Sequence, residues 1–127
     1  MAEFSQDVIE AAARQREVEI TTYGRKTGRP HRVTVWVSGG NGRLFVRSGR
    51  GLGRDWSQNL LAGGRGVLHV GGIDVSIRAR HLTDVAEART AAGHLVRKYR
   101  VNIQRSSGDQ PLALGEQATF ELLPAAT

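Results

Sequence analysis

The chain contains no cysteine. Disulfides, thiolate metal sites and a cysteine nucleophile are therefore excluded before any motif is considered. Proline is scarce, with three residues, and aromatic residues make up only 6% of the chain. No stretch approaches the roughly 18 consecutive apolar residues of a membrane span. The N-terminus lacks a charged-then-apolar signal pattern, so a cytoplasmic protein is expected. Acidic residues are missing altogether from Ile20 to Arg54, whereas eight Lys and Arg fall in that window. A run of this kind suits a phosphorylated cofactor, a nucleic acid or a membrane surface, or simply forms a solvated basic face.

What is abundant is glycine, 16 of 127 residues, in a chain with an ordinary apolar fraction of 39% and a net charge of +6. That length suits one domain spanning 1–127 with a real core, and the glycines suit tight turns between short strands. Residues 5–16 read as a helix, with Ser5 as N-cap and Phe4 and Ile9 spaced as a hydrophobic staple. "EVEITT" (17–22) alternates as a half-buried strand, and 31–38 sets Val33, Val35 and Val37 against Arg32, Thr34 and Trp36. "GGNG" (39–42) turns that strand into 43–48 as a hairpin. A short helix near 54–62 closes at Gly63-Gly64. A second hairpin joins 66–70 to 73–82, and Asp84 with Glu87 opens a helix to about Tyr99. The segment 102–115 is loop-like, and 117–123 forms the last strand. Six antiparallel strands joined by tight turns indicate a small barrel, mainly β with helices, with the long helix across one end or bridging two halves.

Two segments carry the functional signal. "YGRKTGR" (23–29) offers Arg25, Lys26 and Arg29 as charge-assisted donors, with Thr27 adding a hydroxyl. Arg32 follows on the face that also bears Thr34 and Trp36. "SGRGLG" (48–53) lies between a strand and a helix, where backbone N–H groups and a helix N-terminus can hold phosphate. An ordinary turn is the alternative for that loop, and its G-x-G-x-G spacing with antiparallel flanks does not suit a dinucleotide fold. Trp36 could stack on a ring system or pack beneath the long helix. Trp56 and Leu60, four residues apart, suit a core-facing stripe.

Other chemistries find little support. There is no G-x-S-x-G elbow, and Ser48 lacks a recognisable His/Asp set. The histidines at 31, 69, 81 and 94 lack metal-ligand spacing, so no metal is expected and His69 and His81 read as sheet residues. Aromatics interleaved with the basic strands are few, only Trp36 and Phe45, which argues against single-stranded nucleic acid.

"ITTYGRKTGRPHRVTVW" followed by "GRLFVRSGRGLGRDWSQNLLAGGRGVLHVGG" resembles the deazaflavin-dependent nitroreductase family, over about residues 18–82. The resemblance implies a six-stranded antiparallel split β-barrel related to pyridoxamine-phosphate oxidases. It also implies the phosphorylated deazaflavin coenzyme F-420, with FMN as the alternative. By the same resemblance Arg25, Lys26, Thr27 and Arg32 grip the phosphate and tail. Ser48, Gly49, Arg50 and Arg54 contribute from the glycine loop, while Trp56 and Asn59 pack and fix that loop. The chain departs from the family pattern at Asp55, where a proline usually stands, at Thr34-Val35, and at the arginines within the loop. The implied activity is an oxidoreductase passing a hydride to a quinone, enone or nitroaromatic, with Tyr99 and Tyr23 as candidate proton donors. A cofactor carrier or tetrapyrrole binder on the same barrel is the competing expectation. The expected partners are a small-molecule substrate and a second copy in a homodimer, with no nucleic acid and no membrane.

Overall fold

One residue carries the chain from one edge of the sheet to the other. In the computed structural model, which describes residues 3–103 and 105–125, the expected strand 31–38 is divided at Trp36 into β2 (Pro30–Val35) and β3 (Val37–Gly40). β2 pairs antiparallel with β1 (Val18–Tyr23), whereas β3 pairs with β4 (Arg43–Arg47). The remaining strands are β5 (Arg65–Val70), β6 (Ile73–His81) and β7 (Thr119–Pro124), and the order across the sheet is β2-β1-β5-β6-β7-β4-β3. β2 and β3 are thus the two outer edges, yet only Trp36 separates them in sequence. Consecutive Cα atoms lie about 3.8 Å apart, so the sheet must curl until its edges meet. This is the split β-barrel expected from the sequence. The strand count becomes seven because one continuous strand changes partners at the seam, as strands do at sheet corners.

The alternation of Val33, Val35 and Val37 runs through the break, and Val35 and Val37 are buried. They join Ile20, Leu68, Ile77, Val46, Phe120 and Leu122 in the core. Both hairpins turn through two residues of positive φ, Asn41-Gly42 and Gly71-Gly72, which match the strand twist. Gly39 and Gly40, expected in the first turn, belong to β3.

Among the described residues four helices cover the sheet. α1 (Gln6–Arg14) begins at Ser5, whose hydroxyl accepts from the Val8 N–H, and buries Val8, Ala11 and Ala12. α2 (Asp55–Gly63) ends at Gly64 in the left-handed conformation and buries Leu60 against the core. α3 (Val85–Tyr99) is capped by Asp84, whose carboxylate accepts from the Glu87 N–H at 2.9 Å. Glu87 does not complete the capping box, because its carboxylate pairs with Arg80 and Arg43. Beneath α3, Phe45, Leu82 and Ala91 form a second small core. The expected loop 102–115 ends in a single turn, α4 (Leu114–Gln117), which takes Gln117 from the expected last strand. Among the described residues no helix is long and apolar enough to cross a membrane.

Candidate functional site

The basic turn after β1 is held from within and from below. Gly24 N–H donates to Arg29 O at 2.8 Å, and Gly28 N–H donates to Gly24 O at 2.7 Å, with Gly28 at φ 72°. The Thr27 hydroxyl accepts from the Arg29 N–H. Asn59, on the buried side of α2, accepts from both the backbone N–H and the Nη1 of Arg25. Its Nδ2 donates to the buried Thr22 hydroxyl at 3.1 Å. Asn59 therefore fixes this basic turn and not the glycine loop, to which the resemblance assigned it. Arg25 also lies 3.6 Å from Asp55, an exposed contact of little energetic weight. Arg32 pairs with Glu19 at 3.0 Å, with both side chains about half exposed.

The glycine loop is tied instead by Gln58, which donates to Leu52 O at 2.6 Å, and by Ser57, which donates to Arg54 O. Gly51 adopts φ 90° and donates to Ser48 O, a conformation that favours glycine. Arg54 occupies the N-cap of α2, and its side chain makes no capping hydrogen bond to the helix's first N–H groups.

These two segments border adjoining clefts. The first, about 730 Å³, is walled by Val33 to Trp36, by Arg47, Ser48, Gly49, Arg50 and Arg54, and by Leu95 and Ile103. The second, about 590 Å³, lies among Arg25, Lys26, Thr27, His31, Arg32 and Asp55. Val33 and Trp56 belong to both walls, so the clefts meet at the Trp56 indole. Each volume is within the roughly 300–1,000 Å³ of small-molecule pockets. Glu17 is the one acid on the first wall and Asp55 the one on the second, so both clefts carry excess positive charge.

Trp36 meets both of its alternatives. One face stacks on Tyr99 at the end of α3, with centroids 4.2 Å apart and planes 8° apart, and the residue also lines the first cleft. Arg16 lies over the same stack. Neither tyrosine singled out as a proton donor faces the first cleft. The Tyr99 hydroxyl is buried and donates at 2.6 Å to Arg16 O, with Val37 O also near, and burial raises its pKa. Tyr23 lies in a separate depression under the Arg65 guanidinium.

Sequence reasoning passed over Arg47, which the expected strand 43–48 contained without comment. Its position two residues beyond Phe45 puts it on the same sheet face, against Gly115 of α4, and that parity was the available signal. It also passed over a chain on the outer face, where the Thr21 hydroxyl meets His69 Nε2 and His69 Nδ1 meets Asp74, each at 2.7 Å. These residues lie on three adjacent strands and are distant in sequence. His69 and Asp74 border a third hollow, which shares Glu17 and Thr34 with the first cleft and Arg32 with the second.

A family model described as "Uncharacterized protein conserved in bacteria (DUF2255)" matches residues 8–121. The chain belongs to the DUF2255 family. No curated protein sequence matches it. Among solved structures, this DUF2255 chain is similar to an F420-H2-dependent reductase, with 18% identity over 85% of this chain and 94% of that one, at a TM-score of 0.63. It is also similar to a FAD-binding protein from Mesorhizobium loti, with 18% identity over 97% and 91% of the two chains and a TM-score of 0.61. A third likeness is to a chain described as a domain-swapped dimer, with 20% identity over 85% and 80% and a TM-score of 0.64. At these identities the likenesses establish the DUF2255 chain's fold, the split barrel.

Proposed function

We propose that this DUF2255 chain is a reductase that binds the phosphorylated deazaflavin coenzyme F-420 and reduces an electrophilic small molecule such as a quinone, enone or nitroaromatic. The observation that carries the reading is the meeting of two basic clefts at Trp56, each lined by one of the two segments that resemble the deazaflavin family. The donor set fits an anionic, partly planar ligand. Arg25, Lys26 and Thr27 with Arg32 hold the phosphate and acidic tail, and Ser48, Gly49, Arg50 and Arg54 hold it from the glycine loop. Trp36 offers a flat apolar wall, while Val35, Leu95 and Ile103 keep water from it.

When bound, the deazaflavin supplies the hydride, and the protein need only orient and desolvate the reactants. The two tyrosine hydroxyls do not line the first cleft. Its wall offers exchangeable protons at Thr34, Ser48 and the arginines. A homodimer belongs to the same proposal, supported by the domain-swapped neighbour. The FAD-binding neighbour favours a second reading, in which FMN or another flavin occupies the same clefts.

The test is to follow oxidation of reduced F-420 by its visible absorbance, with and without a quinone. Oxidation that requires both protein and acceptor supports the reductase. Tight binding without turnover would leave a carrier.

A further inference from the structure

Three side chains on the outer face of the sheet form a relay that the reductase chemistry does not use. Thr21 of β1, His69 of β5 and Asp74 of β6 lie on adjacent strands. His69 stands directly opposite Asp74, and Thr21 lies one diagonal step from His69, whose own opposite on β1 is Glu19. Residues paired across strands, or two apart along one, share a face. All three therefore project away from the core that holds Ile20 and Leu68. Thr21 Oγ1 lies 2.7 Å from His69 Nε2, and His69 Nδ1 lies 2.7 Å from Asp74 Oδ1.

The proton positions follow from the chemistry of the two ends. A carboxylate only accepts, so His69 Nδ1 carries the hydrogen that Asp74 receives. Nε2 of the neutral ring is then the acceptor, and the Thr21 hydroxyl donates to it. A hydroxyl that donates to an imidazole, fixed in turn by a carboxylate, is the arrangement that makes an alcohol nucleophilic.

The surroundings suit acyl chemistry. Arg32 is the residue paired with Thr21 on β2, and its guanidinium is held on the same face by Glu19 at 3.0 Å. It places a cation beside the hydroxyl, where negative charge develops on an acyl oxygen under attack. Thr21 is only partly buried, and Arg32, His69 and Asp74 border the third hollow, of about 400 Å³. The charged wall of that hollow mixes Arg32 with Glu17, Glu19 and Asp74, so it suits a small neutral molecule better than an ion of either sign.

We propose that Thr21, His69 and Asp74 form an acyl-transfer site that hydrolyses small uncharged carboxylic esters. Thr21 Oγ1 bonds to the ester carbonyl carbon as its proton passes to His69 Nε2. The bond from that carbon to the alcohol oxygen breaks, and the departing alcohol takes the proton from His69. Water then attacks the threonyl ester, losing a proton to His69. The carbon–Oγ1 bond breaks, His69 returns the proton to Oγ1, and the carboxylic acid leaves. Asp74 is a positioning residue, holding the ring's orientation and tautomer.

The experiment follows nitrophenolate release from p-nitrophenyl acetate, with acid quenching and peptide mass analysis to locate any acetyl group. Wild type should release nitrophenolate above the protein-free rate, with acetyl on the peptide that carries Thr21. A general base contributes roughly a hundredfold or more, so His69→Gln should slow release by about that factor. Thr21→Val should abolish the acetylated intermediate, and Thr21→Ser should retain it. The serine variant also keeps the test readable if the valine variant fails to fold. Asp74→Ala should slow release without moving the acetyl group. Release by wild type no faster than without protein would overturn the proposal. So would release that Thr21→Val leaves unchanged, because the imidazole would then act on water alone. Acetyl found only on His69, Lys26 or Lys98 would overturn it as well. The assay contains no coenzyme, so its outcome is independent of the reductase reading.

Discussion

Asn59 Oδ1 accepts from Arg25 twice, from the backbone N–H at 3.2 Å and from Nη1 at 3.1 Å. A helix residue 34 positions away thereby sets the shape of the basic turn. The amide is nearly buried, and its own Nδ2 is used on Thr22, so it cannot turn elsewhere.

Asn59→Ala should therefore release the turn and leave Thr22 without a donor. Hydrogen bonds to charged groups contribute about 1.5–3 kcal/mol, so denaturant unfolding should show a loss of that order. Coenzyme binding should weaken in the same variant, whereas Trp36→Phe should leave the turn and the stability nearly as they are. Unchanged stability in Asn59→Ala would mean that the turn holds itself.

The acid limb of stability should belong to Glu121. Hydrogen bonds from Arg43, opposed by burial, together with those from Arg80, hold its carboxyl below the ordinary glutamate range. Its folded pKa is lower than its unfolded one, so its stabilisation is present above the unfolded value of about 4.3 and is lost as pH falls through the folded value. The melting temperature should fall on acidification through that window, and Glu121→Gln should flatten the fall while lowering the plateau at neutral pH.

Lys98 gives a slope of the same sign at alkaline pH, although here it is the charged form that burial disfavours. Its ammonium donates to Ala12 O and Val37 O, and burial lowers its pKa to about 8. The unfolded chain then binds more protons than the folded one between about 8 and the ordinary lysine value of about 10.4. This side chain's contribution should make stability rise with pH across that interval. The rise should disappear in Lys98→Met, and a melting-temperature profile identical in both proteins would contradict the assignment.

Gly71→Ala tests how α1 seats on the β5–β6 hairpin, away from the two basic clefts. The residue has φ 56°, and an added Cβ would come within 2.7 Å of the Ala11 side chain of α1. Both strain and overpacking follow, each costing about 1–3 kcal/mol. Thermal unfolding should show the loss, with ligand binding at the clefts unchanged in the surviving folded protein.

Much of this was legible from local chemistry. Alternating valines, paired glycine turns and the caps at Ser5 and Asp84 are signals contained within a few residues, and each element they mark is present. The division at Trp36 was not legible, because the valine alternation continues through it and only the pairing partners change. α4 is one turn long and has no periodicity to read. At the candidate site, both basic, glycine-bearing segments were visible because glycine and arginine cluster in sequence, and the structure sets them on adjoining clefts. The role of Asn59, the approach of Arg47 to Glu116 and the Thr21–His69–Asp74 chain all depend on contacts across strands or helices, which spacing along the chain does not encode. Tyr99 was attractive as a phenol near the end of α3, but its hydroxyl is already spent on backbone carbonyls.

The central claim is that one phosphorylated deazaflavin spans the two clefts across Trp56. The most direct measurement is a fluorescence titration of the Trp36→Phe variant with F-420, with FMN beside it, repeated in the Arg25→Ala/Lys26→Ala background. Trp56 is then the only indole, and it belongs to both walls. Saturable quenching by F-420 at one per chain, weakened at least about tenfold (about 1.4 kcal/mol) when the two basic residues are removed, is the predicted result. No quenching by either coenzyme, or quenching indifferent to Arg25 and Lys26, would contradict it.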